Sequence, residues 1–210
     1  MIRRHFAATA GLVCICWTAA VAQQAAVREL DIKYVRDSEE YATLARQVYR
    51  LAGDAVMRAA NSAGGRRWAV VLDIDETTLD NSTYQLERAA YGLPFDDKSW
   101  DAWVERREAP AVPGVADFIA QVRGAGGHVG WISNRRATVA DATRANLKIA
   151  GVWNDDDRLC LQKTPQHTKA ERRHEIVTGA GDCAWPSQPA QVVVFVGDQD
   201  DREIRVVAQE

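Results

Sequence analysis

Net positive charge is absent from this chain, histidine and long apolar runs are scarce, and each lack excludes something. Lysine and arginine number 26 against 29 acids, a formal net charge of −3. A mildly acidic chain attracts no phosphate backbone, so no nucleic-acid partner is expected. Only four histidines occur, and His167 and His174 have no third ligand at metal spacing, so both read as surface residues. The apolar stretch from Phe6 to Val21 is short for a membrane span, which takes about 20 residues. No internal repeat or low-complexity segment occurs, and 47% hydrophobic with 26% charged residues is neither a disordered nor a fibrous composition. The 210 residues suffice for one globular domain with a substantial core.

The amino terminus differs from the rest. Met1-Ile-Arg-Arg-His5 is basic, the apolar stretch follows, and Ala20-Val-Ala22 is a small-x-small cleavage pattern before Gln23. These features predict a secretory signal peptide over residues 1–22, cut after Ala22, and a mature chain 23–210 that is periplasmic or secreted with no stable membrane anchor. Lipidation is not expected, because Val13 and Ile15 precede Cys14 and Cys16 where that signal needs a small residue. Cleavage moves the formal charge from −3 to −5, since the segment holds Arg3 and Arg4 and no acid. Of the four cysteines it leaves Cys160 and Cys183, which in an oxidising compartment are expected to pair.

Downstream, helical and strand patterns alternate. Tyr41, Leu44, Ala45, Val48, Ala52 and Val56 recur at helical spacing and predict an amphipathic helix from about Asp37 to Ala60. Trp68 to Leu72 is a continuous apolar run, as in a strand covered on both faces. Further strands are expected at Val129–Ile132, Leu159–Leu161 and Val192–Val196, with helices near 114–123, 137–150 and 168–178 between them. This alternation predicts an α/β fold with an open parallel sheet. The segment between Leu79 and Pro113 is too long for an ordinary loop and carries Tyr84, Tyr91, Phe95, Trp100 and Trp103; a small helical cap is expected at about 80–112. Most of these aromatic rings are expected to pack the cap onto the core, with one or two free to touch a ligand. Gly124 to Gly127 precedes a strand and reads as a turn, and Asp155-Asp156-Asp157 reads as a solvated loop.

Open α/β sheets bind ligands beyond the carboxyl ends of their strands. In this sequence those ends hold Asp73 and Asp75, then Ser133-Asn134-Arg135, then Asp198-Gln199-Asp200-Asp201. Burying carboxylates is costly unless a cation, a proton or good hydrogen bonds compensate. Asp73 and Asp75, two apart at a strand end, can converge on one space, one as nucleophile and the other as general acid and base. A carboxylate attacking a phosphoryl group sets anion against anion, so a hard divalent cation such as Mg²⁺ and further donors are required. Asp73 and Asp198 can ligate the cation, and the Ser133 hydroxyl can donate to a phosphoryl oxygen. Thr168 and Glu171 form a capping-box pattern that places Lys169 in the first turn of a helix. A cation there opposes the helix dipole, so an anionic partner is expected for it.

The stretch Asp73-Ile-Asp-Glu-Thr77 after an apolar strand resembles the first motif of the haloacid dehalogenase (HAD) superfamily. Its continuation to Ser82, with Phe95-Asp-Asp-Lys-Ser-Trp100, Ala111-Val-Pro-Gly114, Ile132-Ser-Asn-Arg135, Lys169-Ala-Glu-Arg172 and Phe195-Val-Gly-Asp198, resembles the secreted acid phosphatases of that superfamily, class B/C type. That group includes the lipoprotein e(P4) 5′-nucleotidases. The resemblance implies a Rossmann-like parallel sheet with helices on both faces and a small helical cap. It implies an Mg²⁺-dependent acid phosphatase acting on small phosphomonoesters, nucleoside 5′-monophosphates among them. In such an enzyme Asp73 is the nucleophile and Asp75 the acid and base, which also gives its backbone carbonyl to the metal. Ser133, Asn134 and Lys169 bind phosphate, Asp198 is a metal ligand, and Thr77 and Arg135 support the site. Lys163 is a rival for the lysine role but lacks the K-x-x-R context of Lys169. The resemblance departs at Arg202, where the family usually has an acid, so Asp200 and Asp201 are both left as metal supports. The chain also ends soon after Asp198, which suggests a truncated carboxyl terminus. An exported binding protein that has lost activity is therefore the alternative, and homo-oligomerisation is a further expectation.

Overall fold

A computed structural model of the chain describes residues 30–185 and 190–197. The expected signal peptide, Asp198, Asp200 and Asp201 lie outside the described residues. Four strands, β1 (Trp68–Asp73), β2 (His128–Arg136), β3 (Arg158–Gln162) and β4 (Gln191–Val196), pair in parallel in the order β3-β2-β1-β4. Every residue of β1 is buried. That follows from its unbroken apolar run, which suits a central parallel strand and no solvated one. Register places Asp73 beside Ile132 and Leu72 beside Val196, so the carboxyl ends of β1, β2 and β4 lie at the same end of the sheet.

Strand β2 is longer than its apolar run predicts. It continues through Ser133, Asn134, Arg135 and Arg136, and its pairing with β3 is irregular there. Ser133 opposes Leu161 and Arg136 opposes Gln162, so Asn134 and Arg135 have no counterpart on the adjacent strand. Extra residues of this kind bend a strand and re-aim its side chains. The polar sequence that hid the strand is what places hydrogen-bonding side chains on it.

Helices among the described residues include α1 (Glu39–Ser62), α2 (Ser82–Ala90), α3 (Asp97–Arg106), α4 (Val115–Gly124), α5 (Ala140–Ile149) and α6 (Lys169–Thr178). Helix α1 begins with Glu39 and Glu40, which favour the positive end of the helix dipole. It packs on α4, with the Tyr49 and Phe118 ring centroids 5.5 Å apart. Helix α6 lies against one sheet face, where Ile176 joins Ala69, Val71, Ile132, Cys160, Cys183, Trp185 and Val192 in one buried cluster. Side chains alternate across a strand, so Val70 and Leu72 serve the opposite face. Cys160 of β3 and Cys183 are joined as a disulfide, their Cα atoms 5.2 Å apart. The turn before β2 runs through Gly126 at φ 80°, and Gly127 has no room for a side chain, since an added Cβ would stand 2.3 Å from the Trp68 ring.

The chain divides into two compact units, Met1–Ser38 with Ser82–Phe95, and Glu39–Asn81 with Asp96–Glu210. In the first, α2 closes with Gly92 N–H donating to the Ala89 carbonyl and Leu93 N–H to that of Arg88. That is a Schellman ending, with Gly92 supplying the left-handed residue. The Arg88 guanidinium donates to the Pro94 carbonyl, and Tyr84 meets Phe95 edge-on. The second unit holds the sheet and the other helices, α3 included. The segment expected as a cap is thus helical but divided between the two units.

Two expectations are corrected. Asp155 and Asp156 are exposed, but the Asp157 side chain is buried, where its carboxylate accepts from Trp131 Nε1 at 2.8 Å, Arg123 Nη2 at 2.7 Å and Asn154 N–H at 2.9 Å. His174 is on the surface as expected, whereas His167 is largely buried and lies 3.3 Å from Glu175.

Candidate active site

The loop after β1 sets the geometry. Thr78 and Leu79 N–H both donate to the Ile74 carbonyl, closing a single tight turn. Glu76 takes a left-handed conformation, φ 57°, within it. The Thr78 hydroxyl donates to the Asp73 carbonyl at 2.7 Å, and the buried Tyr49 hydroxyl of α1 donates to the Thr77 carbonyl. Beyond the turn, Asp80 N–H bonds the Pro110 carbonyl and Val112 N–H that of Thr78. The turn is therefore fixed from several sides, and it brings Asp73 and Asp75 into one space.

Asp73 is 5% exposed. Its Oδ1 accepts from Ile74 N–H at 2.7 Å and its Oδ2 from Lys169 Nζ at 2.5 Å. Burial pushes its pKa up to about 6, against the opposing pull of Lys169 and the Ile74 amide, with the Asp75 charge adding to the rise. One lysine therefore leaves the burial of this carboxylate incompletely compensated. Lys169 is delivered by α6, whose capping box is complete: Thr168 accepts from Glu171 N–H and the Glu171 carboxylate accepts from Thr168 N–H. Lys163 pairs instead with Asp182, 2.7 Å away.

Asp75 has different partners. Its Oδ2 accepts from the Ser133 hydroxyl at 2.8 Å, and its Oδ1 from Arg135 Nε and Nη2 at 2.9 and 2.7 Å and from Asn81 Nδ2 at 3.0 Å. Arg135 is almost wholly buried, its guanidinium 5.8 Å from the Trp100 ring of α3. Trp103, also on α3, donates from Nε1 to Asn81 Oδ1 at 2.9 Å. Arg172 is fully buried, and burial lowers its pKa from the usual arginine range. It donates to the Ser133 carbonyl, to Asn134 Oδ1 at 2.5 Å and to the Thr168 carbonyl at 3.2 Å. Thr77 is buried with its hydroxyl oxygen unpartnered.

Asp73 and Lys169 thus form one hydrogen-bonded pair, and Asp75, Ser133, Asn134 and Arg135 an adjoining network, with Thr77 on the same turn. Asn81, Trp103 and Arg172 belong to the network as well and were not singled out from the sequence as site residues. Arg172 was visible only as the second basic residue of the K-x-x-R spacing. The set suits a hard cation, being built on a buried carboxylate whose charge one lysine leaves incompletely compensated. Gly197 runs past it, since a Cβ added there would stand 3.5 Å from Asp73 Cβ. His167, Glu175 and Cys183 also lie close together, but the Cys183 sulfur is held in the disulfide.

The family described as HAD superfamily, subfamily IIIB (Acid phosphatase), matches residues 4–202. This chain belongs to that family. Among curated relatives it is 33% identical over 114 residues to acid phosphatase 1 of Solanum lycopersicum, covering 51% of this chain and 44% of that protein. It is 33% identical over 136 residues to a stem 31 kDa glycoprotein of Glycine max, covering 61% and 49%. The chain thus spans about half the length of these relatives. Among solved structures it is similar to the class C acid phosphatase from Bacillus anthracis, at 29% identity and a TM-score of 0.71, covering 83% of this chain and 69% of that one. The tungstate-bound form of that protein aligns with a TM-score of 0.68 at 30% identity, covering 81% and 68%. The α/β architecture, with its parallel four-stranded sheet, is the fold of these HAD acid phosphatases.

Proposed function

We propose that this chain hydrolyses small phosphomonoesters through a phosphorylated Asp73, with Mg²⁺ or a similar divalent cation as cofactor. The observation that carries the reading is the pairing of buried Asp73 with Lys169 Nζ at 2.5 Å, with Asp75 two residues on in a separate hydrogen-bonded setting. In the first step an Asp73 oxygen bonds to phosphorus as the ester P–O bond breaks, and Asp75 gives a proton to the departing oxygen. In the second, Asp75 takes a proton from water, the water oxygen bonds to phosphorus, and the Asp73–phosphorus bond breaks to release phosphate. Lys169 and the Ser133 hydroxyl stabilise charge on the phosphoryl oxygens, the hydroxyl exchanging its hydrogen bond to Asp75 for one to substrate. Arg135 and Asn81 hold Asp75 in place, and Arg172 ties Asn134 and the end of β2 to the start of α6. The bound cation supplies positive charge that lets one anion approach another. Asp73, the Asp75 backbone carbonyl and Asp198 are its proposed ligands, Asp198 following Gly197 directly and Asp200 or Asp201 adding support.

The tungstate bound by the bacillary relative is a tetrahedral oxyanion, which supports the phosphoryl reading. Nucleoside 5′-monophosphates are proposed among the substrates, with half-buried Trp100 beside Arg135 as the ring closest to hand. Export to the periplasm or medium is proposed from residues 1–22, and the disulfide fits an oxidising compartment. No helix among the described residues is long and apolar enough to cross a membrane. The test is a phosphatase assay on the chain lacking residues 1–22, with several phosphomonoesters, with and without Mg²⁺. Mg²⁺-dependent release of phosphate and a trapped phosphate on Asp73 are expected; no release from any ester would overturn the reading.

A further inference from the structure

We propose that a second anion site, separate from the Asp73 network, lies in the cavity beside the disulfide and takes a compact, dianionic phosphate-bearing small molecule. The cavity measures about 260 Å³ and is lined by Arg144, Arg158, Lys163 and Asp182, by Leu159 and Ala140, and by both sulfur-bearing residues of the disulfide. Three cations therefore stand against one acid. Lys163 and Asp182 answer each other at 2.7 Å, which leaves no second acid in the lining for the two guanidinium groups.

Neither guanidinium is satisfied by its protein partners. Arg158 donates one amino group to the Asp182 carbonyl, while its Nε is buried with no hydrogen-bond partner. A buried donor on a cation is costly to leave unmet, and a ligand oxygen would meet it. Arg144 pairs with Asp141, a carboxylate 97% exposed, so water screens that contact heavily. Its guanidinium lies 5.5 Å from the Trp153 ring, which holds the fork in place before any ligand arrives. Arginine forks suit the oxygens of a phosphate group, and an unmet buried donor on Arg158 beside an Arg144 paired only with an exposed acid suits a dianion. The volume is below the usual range for drug-sized ligands, which selects a small body on the phosphate. Leu159 and Ala140 give that body an apolar wall.

The site does not depend on the proposed reaction, and its test keeps the two apart. Inorganic phosphate is titrated into the isotopically labelled full chain while amide resonances are followed by NMR. Shifts are expected at Arg158, Leu159 and Lys163 in the wild type and equally in Lys169→Met, which disables the Asp73 network. Arg144→Gln, at the solvent-facing rim, should weaken the titration of those amides at least tenfold, and so should Arg158→Gln, with turnover of a phosphomonoester unchanged. Should Arg158→Gln fail to fold, Arg144→Gln alone carries the test. Shifts confined to the neighbourhood of Asp73, shifts lost in Lys169→Met, or shifts undiminished in Arg144→Gln would each overturn the proposal.

Discussion

Reducing the Cys160–Cys183 bridge should lower stability by an amount that its position in the chain sets. The two cysteines are 23 residues apart in sequence, and both are buried in the cluster that joins α6 to the sheet. Closing a loop of that length removes chain entropy from the unfolded state worth about 3 kcal/mol. For a chain of this size each kcal/mol moves the melting temperature by about 2–4 °C, so reduction should lower it by about 6–12 °C. The clean comparison is the wild-type chain with and without a dithiol reductant, because serine substitutions would also bury hydroxyls. Calorimetry and urea unfolding at one pH give the two numbers, and alkylation with mass measurement confirms the redox state. Turnover at 25 °C should survive reduction, since Arg172 and Ile176 still hold α6 against β2 and the sheet. Oxidised and reduced chains melting within about 2 °C of each other would refute the reasoning, showing that the bridge does not constrain the unfolded chain.

Asp73→Asn should abolish turnover without unfolding the chain, because an amide cannot form the acyl phosphate; circular dichroism with a phosphate-release assay checks both halves. Folding raises the Asp73 pKa from 3.8 to about 6, so its contribution to stability is fully present below the unfolded value and lost as pH rises through 6. With chelator present, the wild type should therefore lose stability relative to Asp73→Asn between about pH 4 and 6, and urea unfolding of the pair across that window measures it. Arg172→Met deprives the Ser133 carbonyl, Asn134 and the Thr168 carbonyl of their donor, and should cost about 3 kcal/mol or more in urea unfolding. Trp103→Phe keeps the ring but strips Asn81 Oδ1 of its 2.9 Å donor; a loss of about 1–2 kcal/mol is expected, with kcat falling more than KM rises.

Where the sequence was readable and where it was not follows from the physics of each residue. Strand β1 was legible because a central parallel strand must be apolar throughout, and Lys169 because the capping box that starts its helix is written within four residues. Strand β2 was read too short, since its last residues are polar and periodicity has no way to mark a polar residue as paired. Asp157 was hidden by the two exposed acids before it, although Trp131 and Arg123, which hold it, lie more than twenty positions upstream. Asn81 and Arg172 escaped for the same reason. Each is buried by partners that only the fold brings near, and the neighbouring letters offer no more than the K-x-x-R spacing at Arg172. The turn expected at Gly124 to Gly127 falls at Ala125 and Gly126, with Gly124 still in α4, and the tight approach of Gly127 to the Trp68 ring is a fact of packing alone.

The anchoring of α6 has a consequence for chain connectivity. Lys169 is held in place by bonds that bypass the stretch leading to it. Arg172 grips the end of β2, Ile176 sits in the core, and the disulfide ties Cys183, beyond the helix, to β3. The intervening residues 163–166 are exposed and form bends and turns. The position of the lysine is thus nearly independent of how the polypeptide reaches it. A protease nick, a few inserted residues or new termini placed in that stretch should leave Lys169 in register with Asp73, because the helix is clamped to the sheet rather than suspended from its loop.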